Sequence, residues 1–364
     1  MKSSIFTLTL LTLFSFSNAL FATTWTVSNN ADRPAQYTTI QAAVDAAAPG
    51  DTILITSGTY GTMNTFKNLV FYGEDRAEGG VNVNGLWDFQ RFNSTVSSSG
   101  SRVYNISFDD YIKLEADFQN SLAGEEVLDD LIFERCLFPS ISSRIDFNIR
   151  DGISNVTIRN CAFYGLFSSS GIRILSGIGD NLSNIVVTNC IFSLLGSLSQ
   201  SGVASVEGNV VVRNCLFLNS TSASLSIAEL VVENSIFYNR PPSGCSNCTF
   251  NNNFTYLTEG NTLPYGTNLG SGNITSEDPF LQIFTDYPQL GANFSFVHDY
   301  SLAPGSPCIG TGTNGSDIGL NDGNAGVTNI PLFPKIPTVT ELNIPVSSVP
   351  VGGTLQINVA AESR

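Results

Sequence analysis

Five segments of this chain repeat an eight-residue phrase in which apolar alternation skips one beat: LIFERCLF from Leu131, VTIRNCAF from Val156, IVVTNCIF from Ile185, VVVRNCLF from Val210 and LVVENSIF from Leu230. In each, the apolar positions fall at i, i+2, i+5 and i+7, as in Val156, Ile158, Cys161 and Phe163. A strand keeps alternate side chains on one face, so one extra residue at a fixed place means that the chain turns a corner there while its inside stays inside. The corner residue is Arg135, then Asn160, Asn189, Asn214 and Asn234. Asn tolerates the left-handed conformation such a bend needs. Corner-to-corner intervals of 25, 29, 25 and 20 residues hold one short strand pair and a return path each. Self-similarity at this period is the mark of a repeat architecture, here a parallel β-solenoid with rungs about 4.8 Å apart. More degenerate rungs at Val70, Ile106 and Cys248–Tyr256 bring the expected number to roughly eight to ten, a rod on the order of 40 Å.

The stacked corners predict an asparagine ladder, each amide bonding the next. Cys136, Cys161, Cys190 and Cys215 share one inward column, continued by Ser235. Cysteine there acts as a small buried hydrophobe and needs no metal. Cys245 and Cys248 follow Arg240-Pro241-Pro242 in an expected loop; a lone CxxC is a weak zinc signal, and a local disulfide or free thiols suit an exported chain better. Cys308 is the seventh cysteine, its pairing left open.

Lys2, the apolar run Ile5–Phe16 and Ser17-Asn18-Ala19 read as an export signal over 1–19. No later apolar run reaches 18 residues, so no membrane span is expected. Removing the leader leaves 15 basic against 31 acidic residues, which excludes a basic nucleic-acid binder. The single histidine, His298, rules out His-based triads and reads as a structural imidazole.

Between Thr38 and Ala48 the apolar residues Ile40, Ala43, Val44 and Ala47 recur at helical spacing, with Thr38 and Gln41 as a capping box and Gly50 after the end. The stretch YTTIQAAVDAAAPGDTILITSGTY, Tyr37 to Tyr60, resembles the opening of the right-handed parallel β-helix proteins of the pectin-lyase-like superfamily. YSLAPGSPCIGTGTNGSDIGL, Tyr300 to Leu320, resembles the closing rung of secreted bacterial members. The resemblance implies an all-β fold, a single-stranded right-handed parallel β-helix (β-solenoid) with a short N-terminal capping helix. The domains read as a signal peptide over 1–19, the β-helix over 20–328 with its cap at about 23–60, and a Pro-rich linker with a short C-terminal β tail over 329–364. Two strands in that tail are too few to stand alone.

The family includes polysaccharide lyases, glycoside hydrolases and secreted or surface proteins with no established activity, so the fold does not dictate a reaction. No stretch matches a lyase or hydrolase active-site motif. A β-eliminating lyase needs a base and a cation to neutralise a uronate carboxylate. Setting Gly152 against Gly177 puts Arg173 over Asn148, with Asp146 and Arg150 on neighbouring outward positions and Asp151 above Ser176. This patch is the candidate site: Arg150, Arg173 and Asp146 for catalysis, Asn148 and Asp151 for ligand. The alternative is ordinary ion pairs on a solvated sheet. Trp87 and Arg91 form a candidate lip, since sugar rings stack on flat apolar faces. Nine acids between Asp109 and Glu134 face Lys113 alone. Asp109, Asp110, Asp129 and Asp130 are candidate Ca²⁺ ligands, and such an ion would bridge to an anionic glycan. The expectation is an exported, extracellular or cell-surface monomer that interacts with a polysaccharide or cell-surface glycan through a lateral face; the alternative is a Ca²⁺-assisted polysaccharide lyase.

Overall fold

The computed structural model describes residues 22–74, 79–91, 96–115, 127–139, 143–149, 152–164, 171–176, 182–194, 197–202, 210–219, 225–321, 337–343 and 358–363. The segment 1–19 read as a leader, and Arg150 and Asp151, lie outside them. Three parallel sheets run the length of the molecule, with ten, ten and seven strands among the described residues. Sheet A runs from Thr24–Val27 to Thr249–Asn251, sheet B from Gly58–Tyr60 to Ile274–Ser276, and sheet C from Met63–Thr65 to Leu225–Ser226. Seven successive coils contribute to A, then B, then C, which is a parallel β-helix. Nine intervals of about 4.8 Å make it about 43 Å long.

The skipped beat is the corner between sheets A and B. Arg135, Asn160, Asn189, Asn214 and Asn234 have φ between 49° and 57°, the left-handed region. Leu131, Phe133, Cys136 and Phe138 all point inward, and none is more than 1% exposed. A second left-handed column, Asp130, Asn155 and Asn184, bends sheet A at its entry. There the ladder passes from Asp129↔Ser154 to Leu131↔Val156 at an unchanged offset, and the left-handed pair between them is skipped.

Inside, Phe108, Phe138, Phe163, Phe192, Phe217 and Phe237 stack face on face, with centroids 4.5–5.6 Å apart. Each contact adds about 0.5–1.5 kcal/mol beyond burial. The cysteine column is fully buried. Its thiols point at main-chain carbonyls, as in Cys161 Sγ to Phe133 O, 3.7 Å, and to Arg159 O, 3.3 Å. It continues as Ser235, Asn253 and Asn273: Ser235 Oγ accepts from Cys215 N at 3.1 Å, Asn253 Oδ1 from Ser235 N at 3.0 Å, and Asn273 Oδ1 from Asn253 N at 3.0 Å.

At the N-terminal end a short helix, Ile40–Ala46, buries Ile40, Ala43 and Val44. Its N-cap is Thr39, not Thr38: the Thr39 hydroxyl accepts from Ala42 N at 3.3 Å. Gln41 is not half of a capping box either, because its amide bonds Asp45 Oδ1 and accepts from Asn64 N. Lys67 Nζ bonds the carbonyls of Val44, Asp45 and Ala47, where a cation favours the helix C-terminus.

The other end departs from expectation. Residues 300–320 add no rung. With 277–299 they form a strap that folds back over the outer face of sheet B, burying Ile283, Phe284, Tyr287, Phe294, Tyr300, Cys308, Ile318 and Leu320 against Ala162, Ile191, Leu216, Ile236, Tyr238 and Tyr256. Polar ties fix it: Phe294 N to Ser193 Oγ, 2.9 Å; Tyr238 Oη to Gln289 O, 2.6 Å; Tyr256 Oη to Leu281 O, 3.0 Å. The strap also takes over the asparagine ladder. Asn189 Nδ2 donates to Asn160 Oδ1 at 2.5 Å as expected. Asn214 Nδ2 instead donates to Gly319 O at 2.9 Å, Asn234 Oδ1 accepts from Thr313 N at 2.9 Å, and Asn252 Nδ2 donates to Thr313 Oγ1 at 3.0 Å. In the tail, Pro337–Asn343 and Asn358–Ser363 pair with each other, antiparallel, and with none of the three sheets. No helix of the described residues is long and apolar enough to cross a membrane.

Candidate functional site

The three outer faces have different fates. From Leu137 onward the outer face of sheet B is covered by the strap. Sheet A presents Tyr72 and Tyr104, ring-stacked at 4.6 Å, then Glu134, Arg159, Thr188, Arg213, Glu233 and Asn251 along one column. Sheet C gathers charge. Asp88, Lys113, Asp146, Arg173 and Ser199 stand one above another on consecutive strands, with Gln90, Glu115 and Asn148 in the next column.

That register corrects the expected one: Arg173 lies over Asp146, and Asn148 pairs with Leu175. The two strands begin together at Arg144 and Gly171, so anchoring on Gly152 and Gly177 shifts the alignment by two residues. Gly171 starts its strand at φ +144°, where a Cβ would run into the Ser197 carbonyl. Asp151 stacking on Ser176 is likewise not found, since Ser176 pairs with Ile149.

Asp146 is the hub. Arg173 grips it with Nε to Oδ1 at 2.9 Å and Nη2 to Oδ2 at 2.6 Å, and Arg144 Nε reaches both oxygens at 2.9 and 3.1 Å. The guanidinium of Arg144 also lies over the Tyr111 ring, 4.7 Å from its centroid. One rung below, Lys113 Nζ pairs with Glu115 Oε2 at 2.5 Å. The carboxylates are the floor: the Asp146 and Glu115 side chains are 3% and 8% exposed. The cations are the surface, with Arg144, Lys113 and Arg173 at 17%, 27% and 33%. Buried acids thus hold the cationic heads in place, and Arg173 keeps Nη1 outside its grip on Asp146. Three cations meet two ion-paired carboxylates and Asp88, so the patch is neutral to +1 in a chain of net charge −15.

Asp88 was not singled out by sequence reasoning. It is 8% exposed; Oδ2 accepts from Gln90 Nε2 at 2.7 Å, while Oδ1 is buried without a partner. Burial pushes its pKa up to about 6; Lys113 pulls against the rise and Glu115 adds to it. A carboxyl poised there exchanges its proton near neutral pH. The signal was available: Asp88 and Gln90 alternate with Trp87 and Phe89, and period two sends the two sets to opposite faces.

The same alternation overturns the aromatic lip. Trp87 and Phe89 are 0% exposed and lie in the core, against Phe71 at 5.1 and 6.0 Å. Arg91 donates to the Val127 carbonyl. The four candidate calcium ligands do not converge. Asp109 accepts from Asn82 Nδ2 at 2.7 Å and Asp110 from the Tyr111 amide at 2.9 Å, at the passage from sheet B to sheet C. Asp129 holds Ser154 and Asn155, and Asp130 pairs with Arg102 at 2.7 Å, at the entry to sheet A. Among the described residues no three His, Cys, Asp or Glu gather around a common point. His298 contacts the rings of Tyr287 and Tyr300, 5.3 and 6.0 Å between centroids.

No family profile and no curated protein matches the chain. Solved structures similar to it include the pectate lyase Pel9A, with a TM-score of 0.42 and 14% identity over 82% of this chain and 96% of that one. A mannuronic acid specific polysaccharide family 6 lyase from human gut microbiota has a TM-score of 0.37 and 11% identity over 65% and 66%. A pectin methylesterase from Aspergillus niger has 0.30 and 13% over 69% and 84%.

Proposed function

We propose that this protein binds an acidic polysaccharide along the outer face of sheet C, outside the cell to which its leader would export it. One observation carries the reading: Lys113, Arg144 and Arg173 stand half-buried on carboxylates that orient them, on strands one rung apart. Preorganised cations lose little conformational entropy on meeting a carboxylate, and a guanidinium suits it geometrically. The rung spacing is close to that of a sugar unit in an extended chain, so successive residues of one glycan would meet successive strands.

The test is calorimetric titration of the protein with alginate, pectate, a glycosaminoglycan and a neutral glucan. Binding is expected for an acidic polymer, weaker at high salt, and weaker by about tenfold, about 1.4 kcal/mol, in Arg173→Ala titrated at a temperature where that variant is folded. Equal affinity for the neutral glucan, or full affinity in Arg173→Ala and Lys113→Ala alike, overturns the assignment. A second reading, β-elimination from a uronate, is favoured by Asp88, a proton-exchanging carboxyl beside cations suited to neutralise the sugar acid. Ultraviolet absorbance of an unsaturated product, with and without Ca²⁺, decides it: product establishes the lyase, and binding without product leaves the binding protein.

A further inference from the structure

Sheet A carries an apolar stripe on its outer face, and the strap does not account for it. Ile132, Thr157, Val186, Val211 and Val231 stand one above another on five consecutive strands, with Arg102 on the strand before them. All five point outward and are half-buried, and none belongs to either buried cluster of the molecule. The strap's ties on this side stop at the corner, on Asn214 and Asn234. β-Branched residues on both sides of a parallel strand are the pattern of a sheet covered on both faces. Beside the stripe runs the column Glu134, Arg159, Thr188, Arg213 and Glu233. Glu134 and Arg159 pair at 2.7 Å. Among the described residues neither Arg213, which is exposed, nor Glu233 has an ion-pair partner.

We propose that this stripe is the interface of a homodimer, in which a second copy packs sheet A against sheet A about a two-fold axis normal to the sheet. The monomer expected from the sequence is then half of the unit in solution. Such an axis reverses the strands and turns the rod end for end, so apolar stripe lies on apolar stripe with the strands aligned, the usual face-to-face packing of sheets about 10 Å apart.

Charge selects the register. Asp129 and Asp130 lie on the side of the stripe away from Arg213, so the two-fold carries the charged column of one copy over the acidic side of the other. An axis level with Val186 would set Glu233 against Asp129 and Asp130, acid on acid. Half a rung towards the N-terminal end, between Thr157 and Val186, the facings agree. Ile132 meets Val211, Thr157 meets Val186, and Val231 meets Arg102 with Glu233 beside that guanidinium. Arg213 meets Asp129 and Asp130. Both charges that lack an ion pair within one copy find an opposite charge in the other, twice over.

The area suffices. The strands Leu128–Glu134, Ile153–Arg159 and Leu182–Thr188 are seven residues long. Six strands of this width give a face of about 29 by 23 Å, roughly 670 Å² per copy and 1,300 Å² in the pair, within the range of specific interfaces. Sheet C is a different face of the rod and stays open in both copies.

The experiment is the mass of the full protein in solution, by sedimentation equilibrium over a concentration series. Wild type is expected to reach twice the chain mass. Val186→Lys, which brings two cations together beside the axis, and Arg213→Glu, which sets acid on acid, should each weaken association by about tenfold or more. Ser199→Lys, on the outer face of sheet C, should leave association unchanged. Circular dichroism checks that each variant is folded, and Arg213→Glu, at an exposed position, carries the test if Val186→Lys is not. A single-chain mass for wild type at every concentration overturns the proposal, whether the stripe stays bare or takes another partner. So does a dimer of wild-type strength in the folded variants, which puts the contact on another face.

Discussion

Sheets B and C are wound from the same coils, yet the outer face of one is sealed and that of the other carries charge. The residue between the corner cysteine and the stacked phenylalanine is Leu137, Ala162, Ile191 or Leu216, then Ile236 after Ser235, and all are buried. Strands apolar on both sides require a cover, and the chain supplies its own in the strap. On sheet C the outward positions are Asp88, Gln90, Lys113, Glu115, Asp146 and Arg173, which no apolar segment could cover without stranding charges. A solenoid gives every face the same backbone, and only the outward residues decide which face the chain keeps for itself.

That contrast breaks most easily at sheet B. Leu216→Asp, under the strap, should cost about 4 kcal/mol by urea unfolding, the penalty of an unpaired buried charge. A loss below about 1 kcal/mol would mean the face is open to water. The next effect sharpens the picture of sheet C. The folded pKa of Asp88, about 6, lies above its ordinary 3.8. The folded state therefore holds this proton longer than the unfolded chain, and the stability it contributes is full below about pH 4 and lost as pH rises through 6. Asp88→Asn should thus be more stable than wild type by about 2–3 kcal/mol at pH 7 and equal to it at pH 4. Asp51 and Glu74 titrate in the opposite sense: burial is the largest single influence and pushes them up, but hydrogen bonds from Trp25, Thr23 and Ala48 with the charge of Lys67, and from Arg33 and Ser57 with the charge of Arg33, together pull them down. The comparison must therefore be of variant with wild type at each pH, and a constant difference would remove Asp88 as the proton site. Smallest is the strap's hold on the corner: Asn214→Ala, losing the bond to Gly319 O, should cost about 1 kcal/mol and loosen residues 312–320 in hydrogen exchange.

The coil was legible because burial enforces it. Period two with a skipped beat located the corners, the cysteine column and the phenylalanine stack to the residue. Three things were harder to read. The strap's sequence carries no repeat, and its only announcement was the apolar residue beside each corner cysteine, on the wrong side for a solvated strand. The register of sheet C was missed by two residues because glycines mark turns, and loops of unequal length separate those turns from the ladder. Trp87 was placed at a surface by its chemistry, although its two-residue offset from Phe89 already assigned it to the core. The site's charge pattern was partly visible in Asp146 and Arg173, but that Asp88 lies over Lys113 depends on pairing between coils about 25 residues apart, which local pattern does not reveal.

The inner column that starts as cysteine and passes through Ser235 to Asn253 and Asn273 gives the rod a direction. Thiols ask little of the rung above them, so coils within the cysteine stretch are interchangeable, and a duplication there would splice in with little penalty. The amides each demand the main-chain N–H of the preceding coil, so growth or loss at that end would leave an unanswered amide in the dry interior. The molecule is built to change length from its middle while its finish stays constant.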